Sequence, residues 1–244
     1  MSNVIKDAIN LLLPRACCVC GGSCDTDKRL NVSMPQDISI CFKCLSSIVP
    51  IDKDRRWYLC LSEPYESDPI PGLRLYMPFT YDEFFHRAIP QIKFRYVKSL
   101  ATFLGGRLGN VMAHDNIKCD VVVPVPLSPA RMAERGFNQA EVIARECAKS
   151  LGAVIAPDAL VRTRNTSRQT EISDNLQRSA NVSGAFRANE AVSLAGKRVI
   201  LVDDVATTGQ TLHEAALALM SSGVKDVLCV ALCGNRSVKN ADPY

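Results

Sequence analysis

The chain has 244 residues, of which 47% are hydrophobic and 22% charged, and its formal net charge is +4. That length buries a full core and holds one large domain, or one domain plus a small module. The small net charge excludes a chain that is basic throughout, so any contact with nucleic acid must come from a local patch. At the N-terminus, Ile5 to Leu13 is apolar at intervals but carries Lys6 and Asp7 and stops at Pro14. It is too short and too charged to span a membrane and reads as a short amphipathic helix. Eleven cysteines without a signal-peptide pattern point to a cytoplasmic, reducing setting. There, thiols serve as metal ligands or core fillers more often than as disulfides.

Cysteine spacing carries the first chemical signal. Cys17-x-x-Cys20-Gly21-Gly22, followed by Cys41-x-x-Cys44, fits a four-thiolate zinc site with each pair in a hairpin-like knuckle. Gly21 and Gly22 allow the tight turn that brings backbone amides to the sulfurs. Such a site is structural, because it leaves no open coordination position. Cys18, Cys24 and Cys60 are nearby alternative ligands, and four unrelated thiols are the competing reading; the two CxxC pairs are the assignment taken. Cys147, Cys229 and Cys233 sit in apolar stretches and Cys119 just precedes one, so these four read as small core hydrophobes. Residues 1–65 therefore read as a zinc-ribbon module packed by Trp57 and Tyr58, and 66–78, with Pro69, Pro71, Gly72 and Pro78, as a junction. A larger domain is expected over 79–244.

In that domain Phe84, Phe85, Ala88, Ile89, Ile92, Leu100, Phe103 and Leu104 recur at near-helical intervals, interrupted at Pro90. Asp120 to Pro126 has a buried-strand composition closed by prolines. Gly136-Phe137-Asn138-Gln139 opens a helix that runs to about Ser150, with Ala140, Ile143, Ala144 and Cys147 on one face. Further strands begin at Val199 and run from Val227 to Leu232. This alternation implies an α/β fold with a mostly parallel sheet covered on both sides.

Three polar segments interrupt the pattern. Leu127, Ser128 and Arg131, leading to Arg135, follow a strand and could hold an anion, with pyrophosphate the natural candidate because Arg contacts phosphate bidentately. Alternatively Arg131 and Arg135 make exposed helix salt bridges with Glu134 or Glu141. The long stretch between Leu160 and Phe186, containing Arg164, Gln169, Arg178 and Asn181, reads as a lid that excludes water, or as an ordinary solvated loop. The most informative run is Val199 to Thr211: an apolar strand, the carboxylates Asp203 and Asp204, the turn Ala206-Thr207-Thr208-Gly209-Gln210-Thr211, then a helix. Backbone N–H groups at that helix start would cradle a phosphate while the acids accept from sugar hydroxyls. Simple helix capping is the alternative, but a cap uses one such residue and this turn spends six. His86, His114 and His213 have no Cys, Ser or carboxylate partner at motif spacing and are not taken as catalytic.

The Val199 to Thr211 run resembles the phosphoribosyl-pyrophosphate (PRPP) signature of type I phosphoribosyltransferases. Taken with Leu13-Pro14-x-x-Cys17-x-x-Cys20-Gly21, Val123 to Leu127, Arg135 to Gln139 and the Gln169 to Phe186 loop, the chain resembles the ComF family of phosphoribosyltransferase-like proteins. The resemblance implies a type I phosphoribosyltransferase-like sheet with flanking helices. It assigns the ribose hydroxyls to Asp203 and Asp204, the 5′-phosphate to Thr207, Thr208, Gly209, Gln210 and Thr211, and the pyrophosphate loop to Leu127 and Ser128. It implies PRPP with Mg²⁺ as ligand, phosphoribosyl transfer to an unidentified acceptor, and a role in natural competence. A second implied reading is a PRPP- or nucleotide-sensing module that contacts single-stranded DNA or competence-machinery proteins. Two departures stand out. Relatives carry further cysteine pairs where only Cys60 stands here, and Ile172 and Gln177 replace an expected Leu and Glu.

Overall fold

A computed structural model describes residues 15–24, 37–59, 73–163 and 184–234. The expected N-terminal helix, Cys60 and the loop residues Arg164, Gln169, Arg178 and Asn181 lie outside them. In chain order the first described elements are helix α1 (Phe42–Ser46) and strands β1 (Trp57–Leu59), β2 (Arg74–Tyr76) and β3 (Phe79–Thr80). Helices α2 (Glu83–Phe94) and α3 (Lys98–His114), strand β4 (Val121–Pro124), and helices α4 (Pro129–Arg135) and α5 (Gln139–Leu151) follow. Strands β5 (Val154–Ile155), β6 (Leu160–Arg162), β7 (Phe186–Ala188) and β8 (Arg198–Ala206), helix α6 (Gln210–Met220) and strand β9 (Asp226–Gly234) complete the set.

Apolar β-branched runs with no polar face must be covered on both sides, and that requirement shapes the fold. The central sheet has the order β1-β2-β9-β8-β4-β5, with β3 also on β9. Every pairing in it is parallel except β1 with β2. Side chains alternate across it: Val122, Ile200 and Val202 face α2, α3 and α5, whereas Val121, Val123, Val199 and Leu201 face α6 and the β6–β7 pair. Helix starts are set by side chains that satisfy orphan amides: Asp82 accepts from Phe85 N, and Ser128 and Asn138 do the same for α4 and α5. Pro90 was expected to interrupt a helix, yet α2 runs through it. The buried stripe Phe85, Ala88, Ile89 and Ile92 outweighs the lost backbone bond.

The α3–α5 contact is unusually close. A Cβ on Gly105 would lie 2.9 Å from Ile143 Cα, and one on Gly109 would lie 2.6 Å from Ser150 Oγ. Two glycines one turn apart thus let α5 press its backbone against α3 and hold its N-terminus at the end of β4.

The N-terminal segment shares this core. Cys17, Val19, Ile40, Cys44, Leu45 and Ile48 belong to the same buried cluster as Leu100 and Leu104 of α3. Strand β1, read above as part of the module, and β2, read as junction, are both in the central sheet. Arg56 fastens the connection: its Nη1 lies 2.6 Å from Asp115 Oδ2, to which Tyr76 also donates at 2.7 Å, at the end of α3. Burial acts to raise the Asp115 pKa, but donation from Tyr76 and Arg56 outweighs it and holds the carboxyl below its usual range.

Candidate functional site

The N-terminal cysteines form a compact donor set. Sγ atoms of Cys17, Cys20, Cys41 and Cys44 all lie within 4.8 Å of one another. Four thiolates around a tetrahedral ion at a Zn–S distance of ~2.3 Å would stand about 3.8 Å apart, so the set fits zinc. The Cys20 to Cys41 separation is 3.7 Å. The first pair sits in a hairpin knuckle closed by Cys17 N donating to Gly22 O at 2.7 Å, with Gly21 at φ +74° and Gly22 N reaching Cys20 Sγ at 3.4 Å. The second pair was expected in a like knuckle but flanks a helix: Cys41 caps α1 and Cys44 lies within it. Phe42 to Ser46 contains no glycine to turn the chain, and an α-turn brings positions three apart to one side. Burial raises the Cys17 thiol, but backbone contacts to Cys41, Cys20 and Val19 outweigh it and bring it down to about 7, whereas burial pushes Cys44 up. Cys18 and Cys24 are part-buried outside the set, with burial raising them to about 12 and about 11. Cys147, Cys229 and Cys233 are core residues, and Cys119 packs partly buried against the core.

The second site forms where β4 and β8 end side by side, in register through Pro124 opposite Val202. A cavity of about 420 Å³ opens there between α2, the β4–α4 loop, the start of α5, and the β8–α6 turn. Asp203 and Asp204 stand in its floor. Successive strand residues point to opposite faces, so each acid meets a different cation. Asp204 is 7% exposed and its Oδ2 lies 2.9 Å from Lys93 Nζ of α2. Asp203 accepts from Asp204 N at 2.8 Å and feels Arg162 of β6 electrostatically. Though its side chain opens on the cavity, Asp203 is deeply surrounded by protein atoms. Desolvation first, and the neighbouring Asp204 carboxylate next, push its pKa up to about 7.

Facing the acids are Leu127, Arg131 and Arg135. Arg135 is 8% exposed, donates from Nη1 to Gln139 Oε1 at 3.0 Å, and stacks its guanidinium 5.9 Å from the centre of the Phe94 ring. The Glu141 carboxylate pairs with Arg145 at 2.7 Å. Ser128 is buried as the α4 cap, accepting from Arg131 N, and does not line the cavity. In the β8–α6 turn, Thr207 and Thr211 line it. Gly209 takes φ +80° to start α6, Thr208 Oγ1 accepts from Gln210 N at 3.4 Å, and Ala206 is buried; these four shape the turn rather than the cavity wall.

Several lining residues were not read as site residues in the sequence: Tyr81, Lys93 and Arg162, with Asn138 and Gln139 present only as members of the Arg135 to Gln139 motif. Lys93 had a signal. Phe85, Ile89 and Lys93 are spaced four apart on one stripe, so a lysine ends a row of buried side chains. Taken together, the cavity carries Lys93, Arg131, Arg135 and Arg162 against Asp203 and Asp204, an excess of positive charge suited to a polyanion with hydroxyls.

Comparison with known proteins places the chain in a family. Residues 108–243 match the phosphoribosyl transferase domain family. The DNA utilization protein YhgH of Escherichia coli O6:H1 (strain CFT073) is 30% identical over 226 residues, 89% of each chain. Competence protein F of Haemophilus influenzae is 33% identical over 109 residues, 44% of this chain and 47% of that one. The chain belongs to the ComF family of phosphoribosyltransferase-like proteins. Within the ComF family some matches are partial: YhgH of Escherichia coli O157:H7 is 36% identical over 114 residues, 47% of this chain. In that case the match spans 49% of the relative, about half its length. The mostly parallel sheet with flanking helices matches the type I phosphoribosyltransferase fold, and the ComF motifs Val123 to Leu127 and Arg135 to Gln139 both border the cavity. Among the described residues no helix is long and apolar enough to cross a membrane.

Proposed function

We propose that the cavity binds PRPP with Mg²⁺ and that this ComF-family chain transfers the phosphoribosyl group to an acceptor, in a cytoplasmic role in DNA uptake or utilisation. One observation carries the reading: two adjacent carboxylates at the end of a parallel strand share a cavity with two arginines on one side and a threonine-lined helix start on the other. Asp203 and Asp204 accept from the ribose hydroxyls, Thr207 and Thr211 with the α6 amides hold the 5′-phosphate, and Arg131 and Arg135 hold the pyrophosphate. Mg²⁺, when bound, would neutralise charge on the ligand, with Asp203 and Asp204 as the carboxylates that would hold it. In the transfer the C1–O bond to pyrophosphate breaks, its electron pair leaves with pyrophosphate, and a lone pair of the acceptor forms the new bond at C1. The protein's part is to fix both ends of the sugar, stabilise the departing anion and keep water out. The cysteine set holds a structural zinc ion. The names of the relatives support the link to DNA utilisation and competence, and single-stranded DNA and competence-machinery proteins are the partners to test.

Isothermal titration with PRPP in the presence of Mg²⁺ tests the site. Saturable binding by the wild-type chain, weakened at least about 10-fold in Asp203→Asn/Asp204→Asn, is expected from loss of charge-assisted hydrogen bonds. No binding by the wild type would refute it.

A further inference from the structure

Gln139 is among the polar groups of the cavity that the proposed ligand contacts leave unused. Gln139, the first residue of the 13-residue helix α5, is 1% exposed and lines the cavity. Its Oε1 faces Arg135 Nη1 at 3.0 Å, and because a guanidinium can only donate, the oxygen must be the atom on that side. Nε2 is thereby turned away from Arg135, and it is a buried donor with no hydrogen-bond partner among the described residues. Leaving a buried donor unmade is costly, so such an atom in a cavity wall points to a ligand.

The setting defines what that ligand atom is. Asn138 caps α5 with Oδ1 accepting from Ala140 N and Nδ2 donating to Val125 O at 2.9 Å, so both ends of its amide are engaged and fix where the helix starts. The N-terminus of α5, the Arg135 guanidinium and the Gln139 amide are all donors or positive, so an anionic oxygen suits them. They lie on the β4 side of the cavity, with Leu127 and Arg131, and Thr207 and Thr211 lie on the β8 side. Adjacent parallel strands run ~4.8 Å apart, so the two sides can hold opposite ends of one ligand.

We propose that Gln139 is a specificity-determining residue of the site, its Nε2 donating to an oxygen of the diphosphate end of the ligand in an orientation that Arg135 fixes. The inference rests on the PRPP reading, and it places the diphosphate against the start of α5.

Three ligands separate the outcomes: pyrophosphate and PRPP, which carry the diphosphate, and ribose 5-phosphate, which does not. In Gln139→Met, of similar length and without a donor, affinity for pyrophosphate and PRPP should fall about 10- to 100-fold, the range for a hydrogen bond to a charged group. Affinity for ribose 5-phosphate should stay within about twofold. Gln139→Glu keeps an acceptor for Arg135 while losing the donor, so it should rescue a residue whose role is only to hold Arg135. Here it should fail to restore pyrophosphate binding. In the wild-type chain, the side-chain amide resonance of Gln139 should shift on titration with pyrophosphate and stay in place with ribose 5-phosphate, a measurement that needs no variant to fold. Wild-type binding of pyrophosphate with no shift of that resonance, or with wild-type affinity in Gln139→Met, overturns the role of Gln139 and leaves the PRPP reading standing. No wild-type binding of any of the three ligands overturns both.

Discussion

At the scale of single residues, Asp203 is held between two demands. The proposed hydroxyl contacts are strongest to an anion, yet desolvation and the adjacent Asp204 carboxylate raise its pKa to about 7. Between the unfolded carboxylate's ordinary value near 3.8 and that raised value, the native chain binds more protons than the unfolded one. Stability contributed by this group therefore falls as pH rises through the window, with the loss complete above about 7. Asp203→Asn removes the loss while keeping an acceptor for Asp204 N. Its melting temperature should match the wild type near pH 4 and exceed it above pH 7, by roughly 2–4 °C for each kcal/mol recovered, while PRPP affinity drops. Equal melting curves across pH 4–8 would contradict the account. Much of this site was legible because Asp203, Asp204, Thr207 and Thr211 are close in sequence, where a strand–turn–helix pattern locates them. Arg162, by contrast, stood only at the head of the polar stretch read as a lid, and it reaches the cavity from a three-residue strand. Gln139 was visible as part of a motif, but the role proposed for it rests on its buried nitrogen, which has no hydrogen-bond partner among the described residues.

At the scale of elements, the α3–α5 contact decides how far the start of α5 reaches toward β8. Glycine inside a helix costs about 1 kcal/mol relative to alanine, so both Gly105 and Gly106 look improvable by propensity alone. Their surroundings differ. Around Gly106 a Cβ meets nothing within 4 Å, but at Gly105 it would meet Ile143 Cα at 2.9 Å and Ile143 O at 3.1 Å, backbone atoms that cannot rotate aside. Overpacking of about 1–3 kcal/mol should outweigh the propensity gain, so urea unfolding should show Gly105→Ala destabilised and Gly106→Ala neutral or stabilised by up to about 1 kcal/mol. Stabilisation of both would mean that the helices can separate freely. Helix positions in this region followed from hydrophobic spacing. Strands β1 and β2 were not legible, since three residues each beside a proline-rich segment show no period, and their extended form is fixed by partners far along the chain.

At the scale of the whole molecule, the cysteine cluster and the phosphoribosyltransferase-like sheet are parts of one core. Cys17 and Cys44 pack in the same buried cluster as Ile200 and Val230, and the Arg56–Asp115–Tyr76 contact joins the segments further on. Loss of metal should therefore be felt by the entire chain. Chelation, or Cys41→Ser/Cys44→Ser, should release zinc and shift a single cooperative unfolding transition to lower temperature, seen alike by far-UV circular dichroism and by Trp57 fluorescence. Two separate transitions, with the later one unmoved, would show that the cysteine cluster melts alone.

Strand β9 is buried along Val227–Gly234 and has β8 on one side and β2 and β3 on the other. A fragment cut to begin after Thr80 would strip that second flank and leave a nine-residue apolar strand as a naked sheet edge. Such an edge is a template for pairing with other chains. The short N-terminal strands thus act as a guard against self-association, and the part of the chain after Thr80 is not a unit that can be isolated by trimming.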